Sequence, residues 1–588
     1  MTNLFPQATK IILSFRQPYW VDVNSDFNTC QQIKKFVGCK WFDNLKQWSF
    51  RIDFLPAFLE YNKDFIIVQT EKLHNAYQEF LNRNALLDQI KNYQITDEDR
   101  KNTCCCIGLN DEQIQGCFWL LTVKKGILAF GTGVGKTFTA LEACYKLHEQ
   151  LGNQKFLIIT LSSLTNQWAN EIKTNFPEAV IFNANQSISK REKIYAEFDL
   201  VNKSYNDKPV FFITNIEKIR LDLSTYQKFN FKTIVIDEAS KVKAVNSSIQ
   251  KKSGKPSLNT RASVKTLCKQ AEYVFGLTAT PVETSYENLY GIFNVIDEDL
   301  FSGGLKKFQE RYFFEDFFGV YSIINKDNIP ELKQVVSNYI FTKKVKLDVN
   351  TKVEVVSLKF NARQQTYYEM IRQLYLARFE EKHKGEEFVA ERAIRATALD
   401  IFGKRMQFVD FPNICFPQDF AYNDSPKMDW LIQNLSKLQG KTIIFDSRTM
   451  STGRIMKGLE QAGIPFFFVD GSLTTPQKNR TIENFKHDLK TNVLVCTDSL
   501  AYGQNLQFAQ NMIFFNLAFN PGTLNQRSGR IIRRGQKNQV KVFVLLIADT
   551  IEDKIFKRVS ERINDADDIL NLRERLTKLD LATMIEEK

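Results

Sequence analysis

Short apolar runs punctuate this chain, and segments of helical periodicity separate most of them. The first series is Gly126 to Phe130, Phe156 to Thr160, Val210 to Thr214, Thr233 to Ile236 and Tyr273 to Leu277. A second is Thr442 to Phe445, Pro465 to Val469, Val493 to Cys496, Met512 to Phe515 and Val540 to Ile547. Strands alternating with helices predict parallel, doubly wound sheets, hence two α/β lobes of similar build. Upstream, Ile11, Leu13 and Phe15 alternate as a strand does, and a helix follows around Cys30 to Val37. Lys40-Trp41-Phe42 and Lys46-Gln47-Trp48-Ser49-Phe50 read as a hairpin about Asp43-Asn44. The expected division is an N-terminal α+β module over 1–90, lobe one over 91–281, a helical insertion and linker over 282–425, lobe two over 426–560 and a charged helical tail over 561–588. Residues 246–261, rich in Ser, Lys, Gly and Asn, read as a mobile loop.

Composition narrows the class. With 588 residues, 43% of them hydrophobic and 25% charged, the chain can bury several cores. No apolar run approaches the ~18 residues of a membrane span. Met1 to Phe5 lacks a basic stretch leading into an apolar one, so no secretory signal is expected. Ten unevenly spaced cysteines without a Cys-x-x-Cys pair fit a reducing compartment, cytoplasmic or nuclear. The four histidines, His74, His148, His383 and His487, are scattered away from cysteine pairs, so no zinc site is expected. A formal charge of +12 suggests a polyanionic partner, nucleic acid first. In the N-terminal module Lys34, Lys35, Lys40, Lys46 and Arg51 interleave with aromatics. Trp41 and Trp48 are there either a stacking platform for nucleic acid or the core of a small sheet.

The chemistry begins where the strand Gly126 to Phe130 meets a glycine-rich turn, Gly131-Thr132-Gly133-Val134-Gly135, followed by a helix from about Lys136 to His148. Backbone N–H groups there can wrap phosphate oxygens, and the helix dipole adds to their pull. Lys136 would pair with the β- and γ-phosphates and Thr137 would bind Mg²⁺. The strict motif has glycine where this chain has Phe130. Thr233 to Ile236 ends in Asp237-Glu238, which puts two carboxylates at a sheet edge where nucleotides bind. Asp237 would hold the Mg²⁺, and Glu238 would orient and deprotonate water. Gly276-Leu277-Thr278-Ala279-Thr280-Pro281 reads either as a link from nucleotide to nucleic acid or as a plain capping turn.

Far downstream, Gln526, Arg530 and Arg533 fall on one helical face by their spacing. Two such arginines can neutralise charge developing on a transferred phosphoryl group. Arg527 and Arg534 face elsewhere and are candidates for nucleic-acid phosphate.

These motifs together resemble superfamily-two helicases, and more narrowly the Swi/Snf-type DNA translocase ATPases, over roughly residues 109–560. Leu109 to Leu120 resembles the family's first motif, which implies that Gln113 contacts adenine. Leu161 to Trp168 resembles the tracking-strand segment, which implies nucleic-acid contacts at Ser162, Ser163, Gln167 and Trp168. Thr214, Asn215, Lys241 and Lys243 extend that set. Asp470-Gly471-Ser472 resembles a lobe-two DNA contact at Gly471 and Ser472. Thr497 with Gly503-Gln504-Asn505-Leu506 resembles the fifth motif, with Gly503 toward nucleotide and Thr497 and Asn505 toward DNA. Asn520-Pro521 and Arg533-Arg534-Gly535-Gln536 are the most family-specific pieces. The family usually has Asp-Glu-Met at Phe130-Gly131-Thr132, and histidine at Ser240 and Ile532. Phe36 to Phe50 is similar to the HARP domain of annealing helicases.

The resemblance implies two RecA-like lobes closing on ATP and Mg²⁺ held by Gly133, Val134, Gly135, Lys136, Thr137 and Asp237, with Gln526, Arg530 and Arg533 completing the site. It implies movement along double-stranded or forked DNA. A strand-separating helicase acting on DNA or RNA is the alternative, and a nucleotide-gated scaffold that hydrolyses little is the alternative of another class.

Overall fold

The structure, a computed structural model, describes residues 10–556 apart from 107, 132, 153–154, 204–207, 243–259, 280–285, 316–320, 344–349, 385–390, 498–499, 501–505, 517–526, 533–535 and 537. Lys243, Gly503, Asn505, Gln526, Arg533 and Arg534, nearly all of the expected loop 246–261 and the tail 561–588 therefore lie outside the described residues. The backbone divides near residue 344 into two compact units.

Unit one opens with a five-stranded sheet of β1 (Lys10–Arg16), β2 (Trp20–Asn24), β3 (Lys40–Phe42), β4 (Gln47–Arg51) and β5 (Ile66–Gln69), in the order β3-β4-β2-β1-β5. The expected hairpin is β3–β4, in which Trp41 lies directly opposite Trp48. Phenylalanines build the core beneath it. Phe36 meets Phe50, Phe54 and Phe58 edge-on, and Phe50 stacks on Phe58. Trp41 remains exposed and Trp48 half-buried. The boundary expected at residue 90 falls inside a continuous helix, Glu71–Asn92.

The central sheet of unit one contains β6 (Lys125–Phe130), β7 (Lys155–Thr160), β8 (Val180–Asn183), β9 (Val210–Asn215), β10 (Thr233–Asp237) and β11 (Tyr273–Leu277). A hairpin, β12 (Phe313–Glu315) and β13 (Tyr321–Ile324), follows, and β14 (Ile340–Lys343) returns to the sheet edge. The order is β14-β6-β11-β10-β7-β9-β8, and every neighbouring pair is parallel. Strands β9, β10 and β11 are buried throughout, as parallel strands covered by helices on both faces must be. Parallel register brings all their carboxyl ends to one edge.

Unit two holds a six-stranded parallel sheet of β15 (Thr351–Leu358), β16 (Thr442–Phe445), β17 (Phe466–Val469), β18 (Val493–Cys496), β19 (Asn511–Phe514) and β20 (Val540–Ile547), in the order β15-β20-β19-β16-β18-β17. The expectation of a mostly helical 282–425 is corrected. That stretch carries helices such as Ala362–Lys382 and Glu391–Asp410, but it also supplies β14 to the first sheet and β15 to the second. No described helix is long and apolar enough to cross a membrane.

Candidate nucleotide site and nucleic-acid edge

The phosphate loop leaves β6 at its carboxyl end. Gly133 and Gly135 adopt φ values of 80° and 97°, a left-handed conformation that β-carbons disfavour. A β-carbon on Gly135 would also sit 1.9 Å from Gln113 Nε2, so the glycine is needed for space as well. The helix Lys136–Leu151 starts at Gly135 with no side-chain cap, and the positive end of its dipole faces the loop. Lys136 Nζ donates to the carbonyls of Phe130 and Gly131 at 3.0 and 3.1 Å. Thr137, half-buried, lies in the first helical turn.

Phe130 explains its own departure from the strict motif. Its ring is fully buried, 5.6 Å from that of Phe341 on β14, so it belongs to the core. Only its carbonyl reaches the loop.

Gln113 sits at the third position of the helix Asp111–Val123. There its Oε1 accepts the Asn110 amide at 2.9 Å while its own amide donates to Asn110 Oδ1 at 2.8 Å. This capping box anchors the side chain beside Gly135.

Asp237 ends β10, in register with Leu277 of β11. Its Oδ2 accepts the Thr160 hydroxyl at 2.9 Å and the Trp168 indole N–H at 2.8 Å. Its Oδ1 accepts the Glu238 amide at 3.0 Å. A carboxylate offers about four acceptor positions, so Asp237 keeps capacity for a hydrated cation. Glu238 follows with a φ of 51°, and its carbonyl accepts the Lys241 amide at 2.8 Å. Thr278, past the end of β11, is fully buried, with its amide on the Leu128 carbonyl at 3.2 Å.

The expected nucleic-acid residues of unit one separate into two groups. Ser162 is exposed, Ser163 and Gln167 are half-buried, and Lys241 is exposed on a short turn. Trp168 and Thr214 are corrected. Trp168 is 2% exposed and committed to Asp237, and Thr214 is fully buried with its hydroxyl 2.7 Å from Tyr226 Oη, so neither presents a group to a phosphate backbone. Asn215 is also interior, capping the helix Ile216–Leu221. Its Nδ2 donates to Asn185 Oδ1, and Asn185 donates in turn to the Ser162 and Thr165 hydroxyls. Asn185 and Thr160 were not singled out from the sequence. Their partners lie 20 to 77 residues away, and no local motif marks them.

In unit two, Gly471 and Ser472 are exposed, and Ser472 is fastened to Asp470 through its amide and hydroxyl. Thr497, half-buried, follows β18 with its amide on the Val469 carbonyl. Arg527 and Ser528 are helical, and the Ser528 carbonyl accepts the Ile531 and Ile532 amides at 3.1 and 2.8 Å, while the face expected for Gln526, Arg530 and Arg533 falls largely on residues outside those described. Arg530 is 6% exposed. Arg527, expected to meet DNA phosphate, is fully buried between the Phe445 and Phe514 rings and is corrected.

A buried polar network unnoticed in the sequence adjoins this segment. Lys427 donates to Glu552 at 2.7 Å and to Asp410 at 3.5 Å, and Arg448 pairs with Asp410. Asp446 accepts from Ser451, Thr452 and Asn516. Arg527 donates to the Asn516 carbonyl at 3.4 Å.

Comparison with known proteins gives two family matches, the first of which runs past the structural boundary near residue 344. The family description "SNF2-related domain" matches residues 112–407, and "Helicase conserved C-terminal domain" matches 426–535. The Chromodomain-helicase-DNA-binding protein 1-like of Mus musculus is 25% identical over 482 residues, 78% of this chain and 49% of its own. An uncharacterized ATP-dependent helicase of Mycoplasma pneumoniae is 24% identical over 489 residues, 81% of this chain and 43% of its own. The solved Sulfolobus solfataricus SWI2/SNF2 ATPase core in complex with dsDNA aligns with 84% of this chain and 97% of its own, at 20% identity and a TM-score of 0.35. The chain spans about half the length of the curated relatives it matches, at most. With one match covering about half of its length and a second following directly behind, the chain belongs to the SNF2-related family.

Proposed function

We propose that this chain is a DNA-dependent ATPase that tracks along double-stranded or forked DNA and remodels it, by fork regression, annealing or displacement of bound protein. The observation that carries the reading is the meeting of the β6 loop and the Asp237–Glu238 pair at one carboxyl edge, with β11 between their strands. Lys136 holds the β- and γ-phosphates, exchanging its loop carbonyls for them. Gln113 reads adenine. Thr137 and Asp237 are the hard oxygen donors that would hold Mg²⁺, which would supply neutralising charge at the phosphates. Glu238 orients and deprotonates the attacking water.

Arg530 and Arg533 supply transition-state charge as the two units close, with Gln526 and Gly503 beside the nucleotide. Ser162, Ser163, Gln167, Lys241 and Lys243 on one unit, and Gly471, Ser472, Thr497 and Asn505 on the other, hold the phosphate backbone. Such a grip is largely independent of sequence and weakens with salt. The family match and the relatives named as helicases support this reading. All ten cysteines are free thiols, which suits a reducing cytoplasmic or nuclear setting.

Phosphate release measured with and without duplex DNA tests the proposal. DNA-stimulated release is expected. Nucleotide binding without release on any DNA would leave a scaffold, and displacement of a paired strand would point to a strand-separating enzyme.

A further inference from the structure

The donors on Asp237 come from three places, and each restricts the carboxylate differently. Glu238 is the next residue along the chain, and Thr160 ends the neighbouring strand β7. Trp168 alone comes from a helix, Thr165–Asn175. An indole N–H can only donate, so this contact has one sense. Both of its partners are buried, so water cannot easily replace a lost donor. Two side-chain donors on Oδ2 fix that oxygen toward β7 and the helix. Oδ1, with a single backbone donor, is left to serve a cation.

The helix that carries Trp168 begins at the segment expected to touch DNA. The Leu164 amide bonds to the Leu161 carbonyl at 2.9 Å, closing a turn through Ser162 and Ser163, and the Trp168 amide bonds to Leu164 O at 2.9 Å. The Ser162 and Ser163 hydroxyls and the Asp237 donor therefore lie six and five residues apart on a continuous hydrogen-bonded stretch.

We propose that Trp168 is a positioning residue, whose indole N–H orients Asp237 for its cation and passes nucleic-acid engagement at Ser162–Ser163 to the nucleotide site. The inference rests on the ATPase reading above.

The test is the Mg²⁺ concentration at half-maximal binding of a fluorescent, non-hydrolysable ATP analogue, with and without duplex DNA. It needs no turnover. In the wild type, DNA should lower that midpoint. Trp168→Phe keeps a buried aromatic ring but deletes the donor, and it should raise the midpoint about tenfold or more and abolish the shift by DNA. Thr160→Val deletes the other side-chain donor on a strand outside the helix, and it should raise the midpoint yet keep the DNA shift. Wild-type midpoints and DNA shifts in Trp168→Phe, whatever its melting temperature, would overturn the proposal. So would a wild-type midpoint in Thr160→Val. Failure of the wild type to release phosphate with DNA would instead count against the ATPase reading, while the orienting role is still read from the midpoints.

Discussion

Glu238 holds a backbone conformation that costs a non-glycine side chain about 1–3 kcal/mol. The turn it makes lets its amide bind Asp237 Oδ1 while its carbonyl accepts Lys241 N. The chain thus bends sharply right after Asp237. Glu238→Gln preserves shape and removes the proposed base. Turnover should fall by about 10²-fold or more, with nucleotide affinity within a few-fold of wild type. Rapid-quench phosphate release beside equilibrium nucleotide binding measures both, and wild-type turnover would exclude Glu238 as the base. At this scale the phosphate loop was legible in the sequence, because strand, glycines, lysine and helix are contiguous there. The fate of Phe130 was not, since it depends on Phe341 packing beside it from β14. Trp168 was misread for a related reason. Its nucleic-acid role came from the likeness of Leu161 to Trp168 to a tracking-strand segment, and only the fold shows its N–H aimed at a carboxylate 69 residues away.

Among the elements, β16 ends in a group whose protonation bears on unit two. Asp446 is fully buried beside Asp410, within the network of Lys427, Arg448 and Glu552, and burial and then the Asp410 charge push its pKa up to about 6. In an unfolded chain an aspartate titrates near 4. The native state therefore binds the extra proton between those values. Its stabilising share is present below about pH 4 and is lost as pH rises through about 6, at a cost of roughly 3 kcal/mol at most. Asp446→Asn removes that titration while keeping an oxygen for the Ser451 and Thr452 hydroxyls. Hydrogen-exchange protection of β16, corrected for intrinsic rates, should fall from pH 5 to pH 7 in the wild type and much less in the variant. Equal falls in both would contradict the assignment. The ten expected strands of the two lobes are all present, because long apolar runs buried on both faces announce themselves. The edge strands β8, β14 and β15 were missed, while β17, at the other edge of the second sheet, was expected. β15 is mostly exposed and is held by eight in-register residue pairs with β20, and β14 has only four residues, so neither leaves a strong apolar signature.

At the scale of the whole chain, the N-terminal sheet is not a tethered module. Arg51 at the end of β4 is 4% exposed and donates to Asp53 at 2.9 Å, to Asp297 at 2.5 Å and to Tyr339 Oη at 3.0 Å. Asp297 closes the helix Glu287–Ile296, and Tyr339 leads into β14, so one guanidinium binds the small sheet to the body of the nucleotide-binding unit. Ser302 and Lys307 add bonds to the carbonyls of Gly38 and Cys39. The helix Glu71–Asn92, which runs across the boundary expected at residue 90, is itself fastened through Lys91 to the Ser337 carbonyl and through its own Lys91 carbonyl to Lys343. Removing one partner of a buried ion network strands the others, at a cost of about 3–5 kcal/mol. Arg51→Met keeps much of the volume and leaves Asp53 and Asp297 without their cation. Its melting temperature should drop by several degrees, and limited proteolysis should cut within residues 10–69 before β6–β11 are touched. Lys63→Met breaks an exposed pair with Glu60 at the same module's surface and should change neither. If Arg51→Met resisted protease as the wild type does, the sheet would be held by its phenylalanine packing alone, and the ion network would be incidental to its docking.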